Sequence, residues 1–233
     1  MKYIPTFASL SAALLSAALL SGCAGNARQP RPLKLSANPS ALVAQEIAFA
    51  RVAQEKGQWT AFREFAGPTA VMFVPEPVKA AEWLKTQTDP AAAVKWQVHK
   101  VFMSCDGKTG ATSGAWQSPD GKNGHFTTVW QQAPRNKSQR AWLFSFDDGV
   151  PLSEPLKAPE FISSQTASCK GRAPAALIAP AEGTVMKQSF AIDQSLSWTF
   201  QYRPDKSRDV KVALWDGEKM NDVIAYSVAA PKR

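Results

Sequence analysis

Two histidines and two adjacent aspartates are the side chains of this sequence that best suit acid–base chemistry. His99 and His125 fall on strands that we predict to be neighbours, and Asp147 and Asp148 end the last strand of the same meander. An imidazole beside a carboxylate can act as a base, and two imidazoles with acids can hold a metal ion. Because the opposite faces of these strands carry bulky aromatic residues, solvent-facing or structural histidines are favoured, and no metal site is predicted.

Aromatic side chains indicate a candidate apolar pocket, although core packing explains the tryptophans equally well and is favoured. The sequence has no P-loop, dinucleotide-binding glycine fingerprint, paired CxxC or GxSxG nucleophile motif. No nucleotide-binding fold or serine hydrolase of that type is therefore indicated, and no cofactor is expected. The candidate pocket residues are Phe62, Phe73, Trp83, Trp96, His99, Trp116, Trp130 and Trp142.

The amino terminus has the pattern of a secretory leader. Lys2 precedes an apolar run from about Phe7 to Leu20, and small residues follow. The stretch Leu20–Cys23 (Leu-Ser-Gly-Cys) resembles the bacterial lipobox, in which the leader is cut before a lipidated cysteine. We therefore predict a leader over 1–22 and a Cys23 that carries acyl chains such as palmitate. Ordinary secretion and a retained membrane anchor are the alternatives.

The residues after the lipobox indicate where the chain would be held. Ala24 and Gly25 follow Cys23 without an aspartate, which by resemblance to the usual sorting pattern favours the outer membrane, with the folded part facing the periplasm. More than one acyl chain gives stable anchoring. Residues 23–38 are rich in Pro and basic side chains and lack apolar periodicity, so they are predicted to be a tether.

The composition is that of a folded globular protein. The 233 residues are 45% hydrophobic and 20% charged, which excludes a disordered tail or a fibre. The formal net charge is +8, but the basic residues are scattered. A solubilising surface excess explains this charge better than nucleic-acid binding, and no nucleic-acid partner is expected.

Two cysteines remain besides the candidate lipidation site. Cys105 ends a predicted strand and Cys169 lies in a stretch rich in Ser, Pro and Ala. In an oxidising compartment they are predicted to form a disulfide, with two free thiols as the alternative. The bond would attach the C-terminal part of the chain to the main domain.

The hydrophobic pattern changes from helical to strand-like along the chain. A helix is predicted to begin at Asn38 and Pro39 and to end at Gly57, a short second helix carries Trp59, and a third covers 79–86. From Lys95 the period becomes two, with turns between the strands. This order predicts an α+β domain over 39–150, in which three helices cover one face of an antiparallel sheet.

The rest of the chain, 151–233, is predicted to be a β-rich extension. Residues 150–182 are rich in Pro, Ala and Ser and are expected to have little regular structure. Strands are predicted over 195–202, 209–215 and 223–228. We expect these three strands to pack on or extend the first sheet, and a small independent β domain is the alternative.

Four stretches carry a family resemblance: Phe62–Phe65, Ala70–Pro75, Glu82–Leu84 and Gly124–Trp130. They resemble bacterial members of the nuclear-transport-factor-2-like superfamily, within it the SnoaL-like and ketosteroid-isomerase-like branches, over about residues 40 to 150. The resemblance implies a cone-shaped curved sheet around an apolar pocket. A homodimer is common among such proteins and is implied as possible here.

The same resemblance assigns a candidate catalytic residue. Ketosteroid isomerases use a carboxylate in an acid-Pro-Val turn, and Glu76 begins a similar turn here. If the pocket buried Glu76, its pKa would rise and it could act as a general base. The phenol partner of that family is missing, since Tyr202 and Tyr226 lie outside the matching region, so an ordinary solvated turn residue is the favoured alternative.

Two function classes follow. The first is an envelope lipoprotein whose domain binds an apolar small molecule, a lipid or an envelope protein without catalysis. The second is a small isomerase, dehydratase or cyclase that uses Glu76 or a pocket histidine. The shortage of convergent titratable groups favours binding.

Overall fold

A computed structural model describes residues 37–134 and 141–231 of the chain. The predicted leader, Cys23 and the tether up to residue 36 lie outside the described residues. Of the helices in the described part, none is both long enough and apolar enough to span a membrane.

The described helices lie close to their predicted positions. Helix α1 (Pro39–Lys56) begins with proline at its first position, and α2 (Gln58–Phe65) follows after Gly57. Gly57 has a φ of +113°, and a Cβ at this position would lie 2.3 Å from the carboxyl carbon of Asp89. The Asp89 carboxylate accepts the backbone N–H groups of Trp59 and Thr60, which begin α2. Glycine therefore allows both the turn and this cap. Helix α3 (Ala80–Trp83) continues into a 3₁₀ turn, Leu84–Thr86.

Within the described ranges the strands form two sheets. The larger sheet has the order β2-β1-β6-β5-β4-β3-β7, and the smaller has the order β11-β10-β9-β8. The strands are β1 (Ala66–Phe73), β2 (Pro77–Lys79), β3 (Lys95–Met103), β4 (Thr109–Gln117), β5 (Asn123–Gln132), β6 (Trp142–Leu152), β7 (Ser163–Thr166), β8 (Val185–Phe190), β9 (Leu196–Tyr202), β10 (Arg208–Trp215) and β11 (Met220–Val228).

The larger sheet is mixed, whereas an antiparallel sheet was predicted. Strands β3 to β6 are antiparallel, as the hairpins require, but β1 runs parallel to β6 and β7 runs parallel to β3. Both parallel neighbours come from outside the hairpin meander, and a long connection can bring a strand back in either direction. The α+β class is confirmed.

Each face of the larger sheet has its own core. On the helical face, which we define as the face covered by α1 and α2, Phe49 and Phe65 pack on Trp130 and Phe144. On the opposite face, Phe73 and Phe146 pack on Trp198 and Phe200 of β9. The C-terminal strands thus bury the second face of the first sheet.

Two β-bulges decide which side chains enter which core. His99 is an additional residue in β3 relative to β4, and Ser145 is an additional residue in β6 relative to β5. Each bulge reverses the alternation beyond it. Unbroken alternation would place Phe102 on the same face as Trp96, and Phe146 on the same face as Phe144. Because of the bulges, both phenylalanines instead belong to the core of the opposite face.

The disulfide between Cys105 and Cys169 is confirmed. It joins the end of β3 to the segment that follows β7, across a sequence separation of 64 residues. The three predicted C-terminal strands correspond to β9, β10 and β11, while β7 and β8 were not predicted from the sequence.

Candidate functional site

A cavity of about 170 Å³ lies between the first two helices and the helical face of the larger sheet. Most of its wall is apolar, and most of its aromatic residues come from α1, α2 and the central strands. Among the described lining residues, the polar side chains besides indole groups are Gln58, Thr128 and Asp147. The apolar wall consists of Phe49, Trp59, Phe62, Met72, Phe73, Val74, Val94, Trp96, Trp116 and Phe126.

Asp147 is the carboxyl group of this wall. The Ser145 bulge turns Asp147 to the helical face, so that its neighbour Asp148 faces the other way. Thr128 Oγ1 donates a hydrogen bond to Asp147 Oδ2 over 2.7 Å. Burial, with smaller contributions from the carboxyl groups of Glu46 and Asp148, raises the pKa of Asp147 to about 7, although the Thr128 hydrogen bond opposes the rise. Near neutral pH this group can therefore either donate or accept a proton.

A fully buried carboxyl, Glu46, lies behind the cavity wall. Its oxygens accept hydrogen bonds from Trp96 Nε1 at 3.1 Å, from Trp130 Nε1 at 2.9 Å and from the Thr112 hydroxyl. Burial raises the pKa of Glu46, and these donors oppose the rise. Since Trp96 lines the cavity, Glu46 holds one wall of it in place.

Neither Glu46 nor Thr128 is among the residues predicted from the sequence, although the pattern of α1 contains a signal for Glu46. Leu42, Glu46, Phe49 and Ala53 follow one another at helical spacing, so that a carboxyl stands on the apolar face of α1. An acidic side chain at such a position needs buried hydrogen-bond donors.

The predicted pocket residues separate into three groups. Phe62, Phe73, Trp96 and Trp116 line the cavity, although the Phe73 ring also packs in the core of the opposite face. Trp130 and Trp142 lie in the core of the helical face, and Trp83 packs against the ring of Trp59 with 5.0 Å between ring centroids. His99 lies elsewhere, on the opposite face of the sheet.

Glu76 lies outside the cavity. It is in the turn between β1 and β2, its side chain is 52% exposed, and Lys206 Nζ is 2.9 Å from its Oε1. The hydrogen bond and positive charge of Lys206 lower the pKa of Glu76. Glu76 therefore lacks the burial on which a general-base role was made conditional, and its exposure matches the alternative of a solvated turn residue.

A third group of charged side chains connects the two sheets. Asp148 of β6 accepts hydrogen bonds from Arg208 Nε at 3.0 Å, from Arg208 Nη2 at 2.9 Å and from Tyr226 Oη at 2.9 Å. Burial raises the pKa of Tyr226 well above its usual value, and the neighbouring carboxylate adds to the effect. His125 packs edge-on against the Tyr226 ring, with 4.6 Å between centroids.

The prediction that the two histidines lie on neighbouring strands is wrong. His99 is on β3 and His125 is on β5, and β4 lies between these two strands. Within residues 37–134 and 141–231, no three His, Cys, Asp or Glu side chains come together as a metal site.

Comparisons with known proteins give similarity only in solved structures. No family model and no curated protein matches the chain. A candidate aromatic ring hydroxylase from Novosphingobium aromaticivorans is 12% identical, with 48% of this chain and 89% of that chain covered and a TM-score of 0.34. The CaMKII hub of S. rosetta is 16% identical, with 50% and 96% covered and a TM-score of 0.34. Both are similar to about half of this chain.

Proposed function

We propose that the cavity beside Asp147 binds a small apolar molecule, about one ring in size, that carries one hydrogen-bonding group. A single observation carries the proposal: an apolar, aromatic wall encloses a carboxyl group whose pKa is about 7. Ligand sites are typically apolar, with a few polar groups that orient the ligand. A cavity of about 150 Å³ can hold benzene, so 170 Å³ suits a ligand of this size.

The direct test compares p-cresol with toluene, which lacks the hydroxyl group. We expect p-cresol to bind the full-length protein about fivefold more tightly, because a hydrogen bond to Asp147 contributes about 1 kcal/mol. The indole N–H signals of Trp96 and Trp116, both in the wall, would report binding by NMR.

Asp147→Leu should remove the preference for p-cresol and leave toluene binding within about twofold. Asp222→Leu is the matched control, since Asp222 is an exposed strand aspartate paired with Lys211. If neither compound moved the two indole signals, or if Asp147→Leu kept the preference, the proposed site would be wrong.

Acid–base catalysis is a second candidate function, favoured by the pKa of about 7 at Asp147. Isomerases, dehydratases and cyclases that act through an enolate share one elementary step, in which a base removes a proton beside a carbonyl group. In D₂O, the protein should then speed deuterium incorporation next to the carbonyl of cyclohex-2-enone, with a rate that rises around pH 7. Asp147→Asn should abolish this exchange. If the ketone bound without deuterium exchange, catalysis would be contradicted and only the binding function would remain.

The envelope location is also a proposal, supported by the resemblance of Leu20–Cys23 to the lipobox. We propose that acyl chains on Cys23 hold the chain at the outer membrane, facing the periplasm. Cys23→Ser should move the protein from the membrane fraction to the soluble fraction, and mass spectrometry of the wild-type N-terminal peptide should show acyl groups. An unmodified wild-type peptide would contradict the proposal.

A further inference from the structure

A second and larger cavity lies on the opposite face of the seven-stranded sheet. Its volume is about 550 Å³, within the usual range of about 300 to 1,000 Å³ for ligand sites. It is bounded by strands β3 to β5, by β11 and by the segment 152–163 that follows β6. The cavity beside Asp147 opens on the helical face, so the two sites are separate.

The polar lining of this second cavity is basic or neutral. It includes His99, His125, Lys100, Lys157 and Tyr226, and among the described lining residues there is no Asp or Glu. The acid behind this wall is Asp148, whose two oxygens are occupied by Arg208 and Tyr226. The lining residues therefore offer positive charge and hydrogen-bond donors and contribute no free carboxylate, while Glu154 and Glu160 of the bounding segment are exposed outside the lining.

His99 combines low exposure with a ring that is free to bind a ligand. The residue is 8% exposed, and the described residues provide no hydrogen-bond partner for its ring nitrogens. Because His99 is the additional residue of the β3 bulge, its side chain lies on the opposite face of the sheet. A buried polar group without a protein partner is expected to bond to water or to a ligand.

The remaining wall is apolar and reaches the surface. Phe161 is 76% exposed and Leu156 is 42% exposed, which is unusual for side chains of this size beside a cavity. The other apolar side chains of the lining are Leu152, Pro159, Val223, Ile224 and Ala225. A ligand that fits both parts of the wall has an apolar body and a charged end.

We propose that the second cavity binds an amphipathic anion, which is an apolar chain or ring that ends in one carboxylate or phosphate group. The anionic end lies near His99 and Lys100, and the apolar body packs against Leu156 and Phe161. Charge-assisted hydrogen bonds to the anion are stronger than neutral ones, and the low-dielectric wall increases their strength.

The chain provides a site-specific readout, because its only two histidines are His99 and His125, and both line this cavity. Decanoate and decyl phosphate should shift the imidazole signals of the full-length protein in NMR titrations, and the tighter of the two identifies the preferred head group. Decan-1-ol, which lacks the charge, should bind about tenfold more weakly, and decyltrimethylammonium should not shift these signals.

Two pairs of variants separate this site from non-specific binding. Lys100→Gln should weaken decanoate binding severalfold, while Lys95→Gln, an exposed lysine of the same strand outside the cavity, should not. Phe161→Ser should weaken decanoate binding, while Ile192→Ser should not, because the Ile192 side chain is equally exposed but lies outside the cavity.

If decanoate moved only the indole signals of Trp96 and Trp116, if no signal moved, or if decan-1-ol bound as tightly, the proposal would be overturned. The binding function proposed for the Asp147 cavity would stand in each of these cases.

Discussion

Arg208→Met is expected to lower the free energy of unfolding by about 3–5 kcal/mol, because it leaves a buried carboxylate without its partner. The Arg208 and Asp148 side chains are 8% and 0% exposed. Methionine keeps much of the side-chain volume but none of the hydrogen bonds. The Arg208 guanidinium also lies 4.6 Å from the centre of the Phe73 ring, a favourable contact that would be lost as well.

The effect should appear in urea unfolding at pH 7, monitored by fluorescence. Lys211→Met is the matched control, because Lys211 lies on the same strand as Arg208. Both side chains of the Lys211–Asp222 ion pair are exposed, so the free energy of unfolding should change by at most about 1 kcal/mol. Combining Arg208→Met with Asp148→Asn should recover part of the loss, because the uncompensated charge is removed. A loss below about 1 kcal/mol for Arg208→Met alone would show that no uncompensated charge remains at Asp148, because the carboxyl is then either protonated or hydrated.

The order and type of the elements could be predicted because local signals specify them. Pro39 at the first turn of α1, Gly57 after its last turn and the two-residue period from Lys95 all lie where the structure has the corresponding helix or strands. Strand β8 was missed because none of its six residues is fully buried, so its side chains give no clear alternation.

The site could be predicted only in part, because its geometry depends on single additional residues in two strands. Without the bulge at Ser145, regular alternation from Phe144 would place Asp148 at the helical face and Asp147 outside it. The bulge reverses the two orientations, so that the Asp147 side chain lines the cavity and the Asp148 side chain binds Arg208. A bulge is a relation between two paired strands, and one strand's sequence does not specify it.

The environment of Glu76 likewise could not be predicted from the local sequence on which the family resemblance rests. The turn has the right residue types, but Lys206, more than a hundred positions later in the sequence, pairs with Glu76 at the surface. Such a partner belongs to the C-terminal extension, which the resemblance does not cover. The carboxyl group that lines the cavity is instead that of Asp147, in β6, the last strand of the meander.

Asp147→Asn is expected to stabilise the protein at pH 8 by up to about 4 kcal/mol. The pKa of Asp147 rises from 3.8 in the unfolded chain to about 7 in the folded protein, and each unit corresponds to about 1.36 kcal/mol. Between these two values the folded state binds the extra proton, so stability falls as the pH rises from about 4 to about 7 and is constant above. Asparagine has no charge to bury and can still accept the Thr128 hydrogen bond.

Denaturant unfolding at pH 5 and pH 8 measures this effect. The wild-type protein should lose stability between the two pH values, and Asp147→Asn should lose less, with a remaining slope from Glu46, whose pKa burial also raises. Asp222→Asn, at an exposed ion pair, should follow the wild type. Equal or lower stability of Asp147→Asn at pH 8 would mean that the carboxylate is well solvated in the cavity. A gain in stability for Asp147→Asn, together with lost p-cresol preference in Asp147→Leu or lost deuterium exchange in Asp147→Asn, would instead show that the protein keeps a destabilising carboxyl because its ligand requires it.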